Sequence, residues 1–234
     1  MVRRIGTCLA VVLLSLTLVV GQSRAEMVTY KFSGQLPSSE PDGINFELDP
    51  GTDMGGLVNP GDHWTAFFEV DLETGNLNEG IPGLEGFGDY LGAATNAYLE
   101  FESGYSTTLT PTDPLDDFGE IGVFNNFFLP TSDGVAGTVS LGDPERLDVA
   151  IYNEDYENTL DSVDLPTFPT AFNQNVSGEP VEVLAYSSPG GGFVSYLSFG
   201  DGSFEVVPEP STMAIWCIAA MGLGCVWWRK RRAR

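Results

Sequence analysis

The chain has 234 residues and a formal net charge of −23, with 33 acidic side chains against 10 Lys and Arg. Every acid except Glu209 lies between residues 26 and 207, where Lys31 and Arg146 are the bases, so this 182-residue segment carries 32 negative against 2 positive groups, a net of −30. Such a field repels nucleic-acid phosphates and anionic lipid headgroups. The cysteines (Cys8, Cys217, Cys225) all fall outside the segment, which excludes disulfide staples, a thiol nucleophile and a zinc–thiolate centre from it.

Residues 1–25 read as a secretory signal. Arg3 and Arg4 form a charged start, residues 8–20 are almost wholly apolar, and Ser23 and Ala25 give the small-x-small pattern before a cut between Ala25 and Glu26. The run falls short of the roughly 20 apolar residues that a permanent span needs. Delivery to the Sec translocon follows from this reading. Residues 26–207 then form one exported domain, long enough to bury a sizeable core.

Within that domain the dominant period is two. Val28, Tyr30 and Phe32 alternate with Thr29, Lys31 and Ser33; Trp64, Ala66, Phe68 and Val70 alternate with Thr65, Phe67, Glu69 and Asp71; Ala97, Leu99 and Phe101 alternate with Tyr98, Glu100 and Glu102. Further runs cover 121–124, 137–141, 147–152, 181–186, 192–199 and 203–207. Alternation rich in aromatic and β-branched residues predicts half-buried strands. About nine strands without an amphipathic helix predict an all-β fold, an antiparallel β-sandwich of jelly-roll-like type. Residues 192–199 are apolar on both faces and are expected at the centre of a sheet. The Gly/Pro-rich stretches 34–61 and 75–92 are expected as long loops, functional or mobile.

Chemistry is sparse in this segment. Its one histidine, His63, starts a strand, no Gly-x-Ser-x-Gly elbow supplies a serine, and no Gly-rich phosphate loop is present. Glycoside cleavage needs two facing carboxyls, and among 32 acids spacing selects no pair. Calcium needs several oxygen ligands from one loop. The richest candidate is 153–164, where Asn153, Asp155, Glu157, Asp161 and Asp164 are the expected ligands; it departs from the EF-hand pattern at Asn158, in the place of Gly, and at Asp164, in the place of Glu. Lesser acidic clusters lie at 113–117 and 49–53. The same residue types also serve plain turns, through side-chain bonds to their own backbone. Phe67, Tyr98, Tyr152 and Tyr186 fall on the polar phase of their strands, either to stack on sugar rings or to enter a second core.

The C-terminus runs Pro208-Glu209-Pro210, then an uncharged apolar stretch over 213–228 ending in Trp227 and Trp228, then Arg229, Lys230, Arg231 and Arg232 before Ala233 and Arg234. As a helix the stretch reaches about 24 Å, short of a roughly 30 Å hydrocarbon core, so its ends must snorkel or the bilayer must thin. The tryptophans sit where an interfacial belt belongs, and the basic tail fixes that end in the cytoplasm, with residues 26–207 outside. A C-terminal single transmembrane helix is therefore expected at 213–228.

Tripeptide, span and basic tail together resemble the PEP-CTERM sorting signal of Gram-negative, polysaccharide-producing bacteria, over 207–234. The resemblance implies recognition by an exosortase, cleavage near Pro208, Glu209 and Pro210, and transfer to the cell surface or extracellular matrix. The segments Val28-Thr29-Tyr30-Lys31-Phe32-Ser33-Gly34 and Trp64-Thr65-Ala66-Phe67-Phe68-Glu69-Val70-Asp71 also resemble openings of such exported domains, and carry no activity with them. The expected function is a non-catalytic exported surface or matrix protein associated with extracellular polysaccharide. A calcium-dependent, lectin-like carbohydrate-binding module is the alternative, and a glycoside-active enzyme the third reading.

Overall fold

The computed structural model describes residues 27–38, 44–49, 54, 56–79, 81, 86–113, 115–125, 133–153, 160, 162–167, 171–172, 181–199 and 202–207. The expected signal over 1–25 with its cut at Ala25 and Glu26, the Pro208-Glu209-Pro210 motif and the expected span at 213–228 with its basic tail lie outside the described residues. Among the described residues no helix is long and apolar enough to cross a membrane.

The described chain is all-β. Its strands are β1 (Met27–Gln35), β2 (Ile44–Asp49), β3 (His63–Asp71), β4 (Phe87–Leu91), β5 (Ala94–Phe101), β6 (Ser106–Leu109), β7 (Asp117–Asn125), β8 (Asp133–Leu141), β9 (Arg146–Asn153), β10 (Ala171–Phe172), β11 (Val181–Ser187), β12 (Phe193–Phe199) and β13 (Ser203–Val207). They form a six-stranded sheet, β10-β13-β1-β3-β5-β6, and a seven-stranded sheet, β2-β12-β11-β9-β8-β7-β4. All pairings are antiparallel. The sheets pack face to face, with β5 over β7 and β8 and β1 over β9.

Alternation works as expected where one phase is apolar and the other polar. In β1, Val28, Tyr30 and Phe32 point inward and Thr29, Lys31 and Ser33 outward. In β3, Trp64, Ala66, Phe68 and Val70 are buried. The inward faces merge into one core in which Phe32 packs edge-on against Phe68, 5.4 Å between ring centroids, and Tyr30 edge-on against Phe204 at 5.2 Å. Fully burying such a side chain contributes about 1.5–3 kcal/mol. Leu160 and Leu165 are buried and join the core. Tyr30 Oη donates to the Pro166 carbonyl at 2.8 Å, Tyr90 Oη donates to the Val163 carbonyl at 2.8 Å, and the buried Asp133 carboxylate accepts from Leu160 N at 2.9 Å.

The chain changes sheets between β4 and β5. Gly92 turns this corner with φ of 88°, a conformation that a side chain disfavours. Its N–H donates to the Gly119 carbonyl at 2.6 Å, and a Cβ on Gly119 would stand 1.8 Å from the Ala94 carbonyl oxygen. Glycine at 119 is therefore what lets the two sheets meet at the corner.

Three expectations change. The stretches 34–61 and 75–92 contain β2 and β4, because sheet pairing with β12 and β7 orders short segments whose Asp and Gly neighbours read as loop. Successive strands β7, β8 and β9 are hairpin neighbours in one sheet, a meander, whereas a jelly roll winds its strands through two Greek keys. Strand β12 lies between β11 and edge strand β2, one position in from the margin. Its outward Phe193 and Leu197 are half-buried on the exposed face of that sheet.

Candidate functional site

The outer face of the six-stranded sheet is polar with an aromatic centre. Register aligns Glu205, Lys31, Phe67, Tyr98 and Thr108 in one row across five strands. At about 4.8 Å per strand the row is about 19 Å long. Phe67 and Tyr98 lie side by side, 6.2 Å between centroids and 32° between planes, both half-buried. Lys31 Nζ donates to Glu205 Oε1 at 2.8 Å, Tyr98 Oη donates to Glu100 Oε2 at 3.2 Å, and the Ser33 and Ser203 hydroxyls share a bond of 2.7 Å. The ion pair is solvent-exposed and contributes little stability. Two adjacent, mutually tilted rings among hydroxyl, amine and carboxylate groups form an amphipathic platform.

The outer face of the seven-stranded sheet holds a different arrangement. Arg146 Nε and Nη2 donate to Asp148 Oδ2 and Oδ1 at 2.6 and 2.8 Å, a bidentate pair that Thr138 Oγ1 extends by donating to Asp148 Oδ1 at 2.8 Å. The Arg146 guanidinium stands 5.9 Å from the Phe118 ring centre, within cation–π range. Beside it, a depression of about 130 Å³ runs from Arg146 and Asp148 across Ala185, Ser187 and Ser195 to Phe193.

A carboxyl pair adjoins this array. Leu91 pairs with Glu120 and Asp89 with Gly122, so Asp89 and Glu120 are diagonal neighbours on the outer face. Asp89 Oδ1 is buried and meets no N–H or O–H donor unless Glu120 holds a proton. Burial, then the adjacent Asp89 carboxylate, raise the Glu120 carboxyl above its ordinary range. Further along, Phe87 stacks on Phe124 at 4.8 Å and Phe124 leans on Tyr152 at 5.3 Å.

The sequence-predicted residues separate. Of the expected calcium ligands, Asn153 ends β9 and Asp164 is exposed and accepts from Ser162 Oγ at 2.9 Å, while Asp155, Glu157 and Asp161 lie outside the described residues. In the 113–117 cluster, Asp117 Oδ2 accepts from Asp113 N at 2.9 Å and Thr112 N at 2.8 Å, and those backbone bonds hold its carboxyl below the ordinary range. Asp113 Oδ1 accepts from Leu115 N at 3.0 Å, so these two acids work as turn acceptors. Among the described residues no group of three or more His, Cys, Asp or Glu is placed to hold a metal ion. His63 is exposed at the start of β3. Phe67 and Tyr98 do face outward. Tyr186, expected on the polar phase, is a core residue, because the inward phase of β11 is Glu182, Leu184 and Tyr186.

Sequence reasoning missed the array of Asp89, Glu120, Thr138, Arg146 and Asp148. Its members come from four strands, and only register brings them to one face. The one available signal was Arg146 itself, one of two cations among 32 acids. Comparison of the chain with protein-family models, curated proteins and solved structures gives no match.

Proposed function

We propose that this chain is a non-catalytic, exported surface or matrix protein whose sandwich holds polysaccharide against the outer face of its six-stranded sheet. The observation that carries the reading is the Phe67 and Tyr98 platform, two half-buried rings 6.2 Å apart amid hydroxyl and carboxylate groups. The C–H face of a sugar ring is attracted to the electron-rich face of an aromatic ring. The polar surround offers its hydroxyls fixed partners.

Binding is favoured over glycoside cleavage by the carboxyl geometry. Glycosidases keep their two carboxyls about 5–10 Å apart across a groove that admits the sugar. Asp89 and Glu120 instead stand on adjacent strands of one sheet face, as diagonal neighbours. The export half of the proposal rests on the sequence: a signal over 1–25, and a tail from Pro208 that resembles the PEP-CTERM signal and implies exosortase processing.

The test is polysaccharide retention by the full chain in detergent, for wild type and for the double variant Phe67→Ala/Tyr98→Ala. Loss of roughly tenfold in affinity per ring is expected. Equal retention of both proteins, with equal melting temperatures, would remove this face from the proposal.

A further inference from the structure

The depression on the seven-stranded sheet has two unlike walls. On the β9 side stand Arg146 and Asp148, locked to one another. On the β12 side stands the half-buried Phe193 ring, and Ala185, Ser187 and Ser195 line the space between. Only β11 separates β9 from β12, so the walls are about 10 Å apart at roughly 4.8 Å per strand. One aromatic wall, one hydrogen-bonding wall and small residues between them match the two-sided chemistry of a pyranose ring. Its C–H face meets Phe193. Its hydroxyls meet the lone pairs of Asp148 and the N–H donors of Arg146, of which the ion pair uses two of five.

Charge restricts the ligand. Asp148 already neutralises Arg146, and the surrounding segment carries a net −30, so a polyanionic glycan is repelled. A neutral or amino-bearing glycan is admitted. The two outer faces of a sandwich look in opposite directions, with sheets about 10 Å apart between them. A polymer strand held at Phe67 and Tyr98 leaves the Phe193 side open to a second.

We propose that this depression is a second saccharide site, for neutral or amino-bearing sugars, and that one domain thereby bridges two polysaccharide strands. The bridging part rests on the reading of the Phe67 and Tyr98 face given above; the site itself does not.

The experiment mixes the full chain in detergent with a soluble neutral β-glucan or a soluble glucosamine polymer, and records light scattering and bound saccharide per protein. Wild type is expected to raise scattering and to bind at two sites. Ser195→Trp fills the depression without removing a contact of the ion pair; it is expected to halve the bound saccharide and abolish the scattering. Arg146→Lys keeps the charge and loses the planar fork, and is expected to weaken the second site about tenfold with little change in melting temperature. If Ser195→Trp binds and scatters as wild type does, the second site is refuted while the first face survives. If Phe67→Ala/Tyr98→Ala leaves binding intact and Ser195→Trp removes it, the second site stands and the first face falls. Absence of binding to both probes by wild type overturns both.

Discussion

The Trp64 indole N–H of β3 donates to the Tyr196 hydroxyl of β12, joining the two sheets by a hydrogen bond inside the core. Both side chains are almost wholly buried. The Tyr196 hydroxyl lies in turn against the buried Glu182 carboxyl; burial first, and then Glu182, raise it above its ordinary range. A Cβ on Gly34 would stand 2.1 Å from Glu182 Oε2 and 2.8 Å from Trp64 Cζ2, so glycine there leaves this polar line the room it occupies.

Tyr196→Phe removes the shared hydroxyl and leaves the Trp64 N–H buried without its acceptor. A loss of about 1–3 kcal/mol is expected, read from urea unfolding. Adding Trp64→Phe should cost less than the sum of the single changes, because the two residues share one interaction. An unchanged unfolding midpoint for Tyr196→Phe would mean that the bond contributes nothing to stability.

Gly119→Ala sets a methyl group 1.8 Å from the Ala94 carbonyl oxygen, against backbone that has no flexible end to move. Destabilisation of about 1–3 kcal/mol, or somewhat more, is expected. Gly75→Ala meets nothing within 4 Å. It should be neutral or stabilise by about 0.4–1 kcal/mol through the unfolded chain. Thermal denaturation of the two variants side by side tests the contrast, and similar melting temperatures would contradict the close approach at the corner.

Glu120 makes stability depend on pH with a defined sign. Its folded value is raised above the ordinary glutamate value of 4.5, by burial and then by Asp89, against a lowering influence from Arg146 and a raising one from Asp148. The folded state therefore holds the proton more tightly than the unfolded state. That contribution is complete below the unfolded value and disappears as pH rises through the folded one. Glu120→Gln keeps a hydrogen-bond donor for Asp89 at every pH. In this window the variant should lose less stability than wild type as pH rises, and parallel curves would exclude a raised Glu120 value.

Processing tests the sorting proposal. With Pro208, Glu209 and Pro210 changed to alanine, a host that carries an exosortase should accumulate an unprocessed membrane form, detected as a larger band in the membrane fraction. Removal of residues 229–234 should impair retention or topology, since under the sorting proposal the basic tail holds that end in the cytoplasm. Identical processing and surface display of all three proteins would end the assignment.

Strands β1 and β3 were legible from the residues because their phases differ sharply in polarity. Burial against the opposite sheet enforces that difference. Strand β11 was legible as a strand at 181–186, but its inward phase was not: Val181, Val183 and Ala185 on one phase are as apolar as Leu184 and Tyr186 on the other, and Glu182 points inward against local polarity because Tyr196 meets it there. Strands β2 and β4 were hidden by neighbouring Gly, Pro and Asp, and they exist through pairing with strands distant in sequence, β12 and β7. Of the outward aromatics, the Phe67 and Tyr98 phase was readable, but their adjacency was not.

The sequence by itself determined the acidity of residues 26–207 and the all-β class, since these are properties of composition and of runs shorter than 30 residues. Only the tertiary structure decided that Trp64 reaches Tyr196, that Asp89 and Glu120 become neighbours on one face, and that Arg146, Asp148 and Phe193 border one depression. The reason is register: a one-residue slip of any strand sends its side chains to the other face, and long-range pairing sets which residues become neighbours.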